Sequence, residues 1–183
     1  MTQRSPQTLK GAARFFSLLI MLFLYSCGNR NVSDKPVPTP AEMNEQLIDA
    51  NKIYAQKEAD EIDEYIRRHD WSVISTGTGL RYMINKRGEG EQAKTGQLAK
   101  VNYKISLFDG TVCYSSDKDG PKEFLIDQDD VESGLHEGIK YFKVGDRAIL
   151  IIPSHLAHGL IGDESKIPSR AALVFEVELL ELK

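Results

Sequence analysis

The clearest periodic signal in the chain is VNYKISL, residues 101–107, where Val101, Tyr103, Ile105 and Leu107 alternate with Asn102, Lys104 and Ser106. A period of two sends the first set to one face of an extended strand and the second set to the other, as in a half-buried antiparallel strand. LVFEVELLEL repeats the pattern, with Phe175, Val177 and Leu179 on one face. AILIIP is apolar without interruption, which predicts a strand covered on both sides. After the first strand, FDGT supplies a turn, Asp109-Gly110 being suited to positive φ.

A different period appears in two places. Residues 41–70 hold no Gly or Pro and are rich in Glu, Gln, Lys and Ala, with apolar positions at Ile48, Ala55, Ala59, Ile62 and Ile66 and a second stripe at Met43, Leu47 and Tyr54. That predicts a long helix, which Arg67 and Arg68 close by complementing the negative end of its dipole. Packing on its own domain, pairing with a second copy and standing free all fit this pattern. In ESGLHEGIKYF, Leu135, Ile139 and Phe142 fall at i, i+4 and i+7, a short helix with one apolar stripe. The sum is an α+β class: an antiparallel sheet curled around a short helix and preceded by a longer N-terminal helix.

The N-terminus has its own texture. Arg4, Lys10 and Arg14 precede FFSLLIMLFLYSC, an apolar run too short for a bilayer span of about 20 residues and built like an export signal. Its end, Leu24-Tyr25-Ser26-Cys27, resembles a bacterial lipobox, which implies lipid attachment at Cys27 and removal of what precedes it. Residues 1–27 are therefore expected to be a lipoprotein signal. Residues 28–40, with Pro36, Pro38 and Pro40, form a semi-rigid linker; residues 41–71 form the N-terminal helix, and residues 80–183 the main domain. The expected location is a membrane-anchored lipoprotein of the outer membrane, facing the periplasm.

Charge and motifs narrow the chemistry. The leader carries three of the 23 basic residues and none of the 27 acidic ones, so the rest has net charge −7, against a nucleic-acid partner. Cys113 is the one cysteine left after Cys27, so no disulfide forms within the domain. HEGIK opens like a zinc-protease helix but has Lys140 where the second His would stand. His136, His155 and His158, even with Glu132 or Asp163, match no standard metal spacing, and no cofactor or metal is expected.

VNYKISLFDGTVCYSS, FKVGDRAILIIPSHLAHG, Ile167-Pro168 and LVFEVELLEL occur in order, and together the stretch from about Leu80 to Lys183 resembles an FKBP-type peptidyl-prolyl isomerase domain. Joined to a lipoprotein signal and a helix, it is similar to the gliding-motility-associated isomerase lipoproteins of Bacteroidetes. The resemblance implies a five- to six-stranded curled antiparallel sheet around one helix, and an aromatic cleft for a prolyl ring. The implied site residues are Tyr103, Tyr114, Phe124, Val131, Leu135, His158, Ile167 and Phe175. Several positions depart from the family pattern. Cys113-Tyr114 replaces Phe-Asp, Leu135 replaces the usual Trp floor, Glu132 takes an apolar position, and His158 takes that of a ligand-bonding Tyr.

The implied function is peptidyl-prolyl cis-trans isomerisation on Pro-containing polypeptide clients during folding of exported proteins, with activity reduced by the smaller cleft residues. The alternatives are a non-catalytic periplasmic chaperone and a structural lipoprotein of a motility or secretion machine. The implied partners are those clients, a membrane reached through the lipid anchor and, through the N-terminal helix, a second copy of the chain.

Overall fold

The structure is a computed structural model that describes residues 39–183. The signal segment, Cys27 and most of the Pro-rich linker lie outside the described residues. Two compact units divide the chain, 1–44 and 45–183.

Helix α1 spans Pro40–Arg68. Pro40, expected in the linker, is its first residue, because a first-turn position needs no backbone N–H donor. Thr39 closes the entry as a capping box: the Glu42 N–H donates to Thr39 Oγ1 at 3.3 Å, and the Thr39 N–H donates to Glu42 Oε2 at 2.7 Å. The first of these bonds' reciprocal partner, the donation from Thr39, holds the Glu42 carboxyl below its ordinary range.

The second unit carries one antiparallel sheet of seven strands: β1 (Ile74–Ser75), β2 (Arg81–Lys86), β3 (Leu98–Ser106), β4 (Val112–Ser115), β5 (Lys122–Leu125), β6 (Arg147–Ile152) and β7 (Leu173–Leu182). Their order is β1-β2-β6-β7-β3-β4, with β5 also on β3. The count exceeds the expected five or six. β1 is a two-residue partner of β2, and the free edge of β3 is shared, Leu98–Val101 pairing β5 and Lys104–Ser106 pairing β4. Helix α2 (Ser116–Asp119) and helix α3 (Ser133–Ile139) interrupt the strand order. The predicted turn forms, with the Gly110 N–H donating to Leu107 O at 3.0 Å and Gly110 at φ 87°.

The alternation along the strands sorts two apolar layers. Val101 and Ile105 of β3 and Phe175, Val177 and Leu179 of β7 face the same side as Ala148, Leu150 and Ile152 of β6 and Tyr82 of β2, where they meet Leu135 and Ile139 of α3 and Phe142 just beyond it. Ile149 and Ile151 of β6 point the other way, to Val174 and to Ile62, Tyr65 and Ile66 of α1. The uninterrupted apolar run of β6 is thus explained by helices on both faces of the sheet.

Only the C-terminal part of α1 is buried. Tyr65 stacks on Phe108 with ring centres 4.3 Å apart, Asp63 pairs with Arg81 at 2.9 Å, and Glu58 Oε1 accepts the Ser154 N–H at 2.7 Å. The predicted stripe is therefore apolar on one face but covered over only part of its length: Ile62 and Ile66 are buried, while Ile48 and Ala55 are exposed. Leu47, Ile53 and Tyr54 are exposed as well.

Helix α3 lies directly on β6. A Cβ at Gly134 would sit 2.4 Å from Ile152 Cγ2, and one at Gly138 would sit 2.5 Å from Leu150 Cδ2, both against buried side chains. At these two positions any side chain is overpacked, and glycine permits the approach.

Candidate active site

Three elements deliver the side chains singled out by sequence. β3 and β7 place Tyr103 and Phe175 on the inner face, Phe175 opposite Ile105 and Leu150 in the strand register. α3 raises Leu135 toward them, and the segments flanking α3 and β6 supply Val131, His158 and Ile167. Phe124, Leu135, Ile167 and Phe175 are buried in one apolar cluster, with Cys113 among them. Tyr103, Tyr114 and Val131 are partly buried against it. Phe175 is only 1% exposed, whereas Tyr103 is half-buried.

Polar partners fix the edge of this cluster. Ser116 Oγ accepts the Tyr103 N–H at 3.1 Å and donates to Tyr103 O at 3.2 Å, locking β3 to the start of α2. The Tyr114 hydroxyl donates to Asp163, whose other oxygen accepts the N–H groups of Ser165 at 2.9 Å and Ile167 at 2.7 Å. One carboxylate therefore ties Tyr114 to the loop that carries Ile167. Burial pushes the Asp163 carboxyl up, but the Tyr114 hydroxyl and the backbone N–H donors outweigh it and bring the value to about 2. The same bond raises the Tyr114 phenol. Lys166 Nζ lies 4.5 Å above the Tyr114 ring centre and donates to Cys113 O at 2.8 Å.

His158 and Glu132 form a second edge. His158 Nε2 is 3.2 Å from Glu132 Oε1; the Glu132 side chain is 8% exposed and that of His158 31%. Burial raises the Tyr103 phenol, and the charges of Asp119 and Glu132 add to the rise. Cys113 is buried and its thiol is raised, first by burial and then by the Asp163 charge, the environment of an inert packing residue.

The three histidines weighed as metal ligands, His136, His155 and His158, go to three different places. His136 accepts the Asp127 N–H at Nδ1, with Nε2 2.9 Å from Asp129 O, and meets the edge of Phe124. His155 is exposed on the turn after β6, 3.0 Å from Thr78 O. An open groove of about 500 Å³ runs past Tyr103, Lys104, Arg147, Ile149, Glu176 and Glu178. Ion pairs Lys104–Glu176 and Arg147–Glu178 lie along it, and its lining mixes these charges with apolar surface.

Residues 89–180 match the profile of FKBP-type peptidyl-prolyl cis-trans isomerases, half of the chain. The chain belongs to that family. It is 37% identical over 164 residues to the FKBP-type isomerase FkpA of Buchnera aphidicola, covering 85% of this chain and 64% of that protein. To FkpA of Escherichia coli it is 40% identical over 112 residues, 61% of this chain and 40% of the relative. The chain spans about two fifths to two thirds of the length of the FkpA relatives it matches. The crystal structure of FkpA from Escherichia coli superposes with TM-score 0.61 at 27% identity, covering 100% of this chain and 99% of that one. An FKBP-like fold with an N-terminal helix follows from these findings.

Within that family fold, Asp163 and Glu58 are organising residues that sequence reasoning did not assign to the site. Asp163 had a local signal: DESKI places an acid two residues before a backbone N–H, the spacing of an Asx turn. Glu58 had none, since its partner Ser154 is 96 residues away.

A depressed carboxyl stabilises the fold above its ordinary value and loses that contribution as pH falls through the folded value. Asp163 runs from an ordinary 3.8 to about 2. Asp163→Asn is therefore expected to lower Tm by a constant amount above about pH 5, and the gap should narrow between about pH 4 and pH 2. Thermal melts across that range check this; a gap of constant size down to pH 2 contradicts it.

Proposed function

We propose that the chain catalyses cis-trans isomerisation of X-Pro bonds in exported polypeptides. The observation that carries the reading is the gathering of Tyr103, Phe124, Leu135, Ile167 and Phe175 in one cluster of a family-type fold. Rotation of the amide is opposed by about 18–20 kcal/mol because twisting removes its resonance. No nucleophile or proton transfer is needed; the catalyst must bind the twisted amide better than the planar one. Rings on several sides of a prolyl group strip water from its amide, and the less polar twisted form loses less by this. A thousandfold acceleration requires about 4 kcal/mol of such differential stabilisation.

Tyr103, Phe175 and Leu135 grip the prolyl ring in this reading, with Val131 and Ile167 as walls and Phe124 beneath. Tyr114 and His158 are the polar groups at the edge. Each commits its hydrogen to a carboxylate, Tyr114 to Asp163 and His158 through Nε2 to Glu132, so the substrate meets both as positioned polar walls around the amide. Leu135 and Cys113 offer less surface than aromatic residues, which sets the activity below that of a fully aromatic cleft. Residues 41–183 should accelerate exchange of a Leu-Pro peptide, and Phe175→Ala should reduce the acceleration at least about tenfold, from loss of more than about 1.4 kcal/mol of ring contact. Equal rates for the two proteins, measured by protease-coupled or exchange NMR assay, contradict the reading.

We further propose that the protein is a lipoprotein attached through Cys27 to the outer membrane and facing the periplasm, in the group of gliding-motility isomerase lipoproteins, and that two copies pair through α1. The lipobox-like LYSC supports attachment, and the exposed Leu47, Ile48 and Ile53 support pairing. In one fractionation experiment the wild-type chain should sediment with membranes, and Cys27→Ser should appear in the soluble fraction with the mass of a dimer. A wild-type chain found soluble contradicts attachment, and a monomeric Cys27→Ser protein contradicts pairing.

A further inference from the structure

Glu132 stands at the entry to α3, one helical turn before Leu135, the floor residue of the proposed cleft. Its side chain is 8% exposed, yet its two oxygens are treated differently. Oε1 meets His158 at 3.2 Å, while Oε2 is buried with no hydrogen-bonding partner among the described residues. A buried carboxylate oxygen without a donor is costly, of the order of 1–3 kcal/mol or more for a charged group. No packing role explains it: an apolar side chain of similar size would fill the position without that cost. The side chain belongs to the edge of the cluster by its neighbours: it is bonded to His158, follows Val131 in the chain and stands one turn before Leu135.

We propose that Glu132, held by His158, is a specificity residue that selects a cationic side chain, lysine or arginine, on the residue preceding proline in the substrate. The inference rests on the isomerase reading above for the position of the prolyl ring. With the ring against Leu135 and Phe175, the chain on either side of it lies at the edge of the cluster. Consecutive Cα atoms are about 3.8 Å apart, so the residue before proline starts within one residue's length of that edge. A lysine or arginine there carries a long apolar stem, which can lie on Val131 and Tyr103 while its head reaches the carboxylate. His158 occupies Oε1 and fixes the side chain, leaving Oε2 as the acceptor. Lys166 is engaged by Cys113 O and the Tyr114 ring and does not fill this role.

The test uses the full chain in detergent, with three peptides identical except for Lys, Leu or Glu before proline. Both the isomerisation rate and the affinity, by titration calorimetry, are measured for wild type, Glu132→Gln and Glu132→Ile. The wild-type protein should favour Lys-Pro over Glu-Pro at least about tenfold in one or both readouts, a charge-assisted hydrogen bond being worth that much. Raising salt to 0.5 M should narrow the ratio only slightly if the pair is desolvated, as buried pairs are weakly screened. Both variants should bring the ratio within about twofold of unity; the isoleucine variant suits the apolar surroundings and guards against misfolding as the cause. A Lys-to-Glu ratio that is near unity in the wild type, or unchanged in both variants, overturns the proposal. Retained affinity ratios without acceleration of any peptide support the specificity and overturn the isomerase reading; neither binding nor acceleration overturns both.

Discussion

The contact between α3 and β6 is the constraint on which the rest of the site depends. Gly134 and Gly138 bring the helix backbone onto Ile152 and Leu150, closer than any side chain at those positions would permit. That approach sets the depth of Leu135 in the cluster that holds Phe175 and the height of Glu132 at the entry to the helix. β6 can serve as the platform because both its faces are apolar, one against α3 and the other against α1. A strand with a solvated face would have to alternate, and it would lose either the site floor or the anchor of α1.

Electrostatics act at the edge of the cluster rather than within it. Asp163 gathers the Tyr114 hydroxyl and two backbone donors, so one carboxylate ties β4 to the Ile167 loop. Asp146 does comparable work on the other side of the fold: fully buried, it accepts the N–H groups of Gly88 at 2.6 Å and Lys143 at 2.9 Å. Glu132 differs from both in having an oxygen without a donor. Asp146, buried, and Asp163, half-buried, have donors on both oxygens, and Glu132 has none on Oε2, a contrast that packing alone does not explain. α1 reaches the same edge, since Glu58 holds the start of the turn that carries His155 and leads to His158.

Most of the sheet was legible in the sequence because its signals are local. Period-two alternation placed Val101, Ile105, Phe175 and Val177 on the inner face, and the unbroken run in β6 announced two covered faces. The stripe Leu135, Ile139 and Phe142 gave the face of α3 for the same reason. The expectation that Tyr103, Phe124 and Ile167 belong to a cleft came only from family resemblance, since no periodicity distinguishes a cleft wall from a core residue. What the sequence concealed depends on distant partners. The burial of Tyr65 comes from Phe108, 43 positions away, and the role of Asp163 comes in part from Tyr114 across 49 positions. Where α1 leaves the sheet is likewise a matter of sheet width, which no helical period encodes.

Gly134→Ala puts the whole account at risk, because it adds one methyl group between Ile152 and the start of α3 without removing any ring or charge from the site. Thermal melts and X-Pro exchange rates of the variant and wild type should be compared. Overpacking by one methyl typically costs about 1–3 kcal/mol, so Tm should fall, and the rate at a temperature where both proteins are folded should fall at least about tenfold as Leu135 and Glu132 are lifted from the sheet. A variant with wild-type Tm and wild-type rate would show that the helix does not rest on the strand in this way and that the cleft is built on some other support.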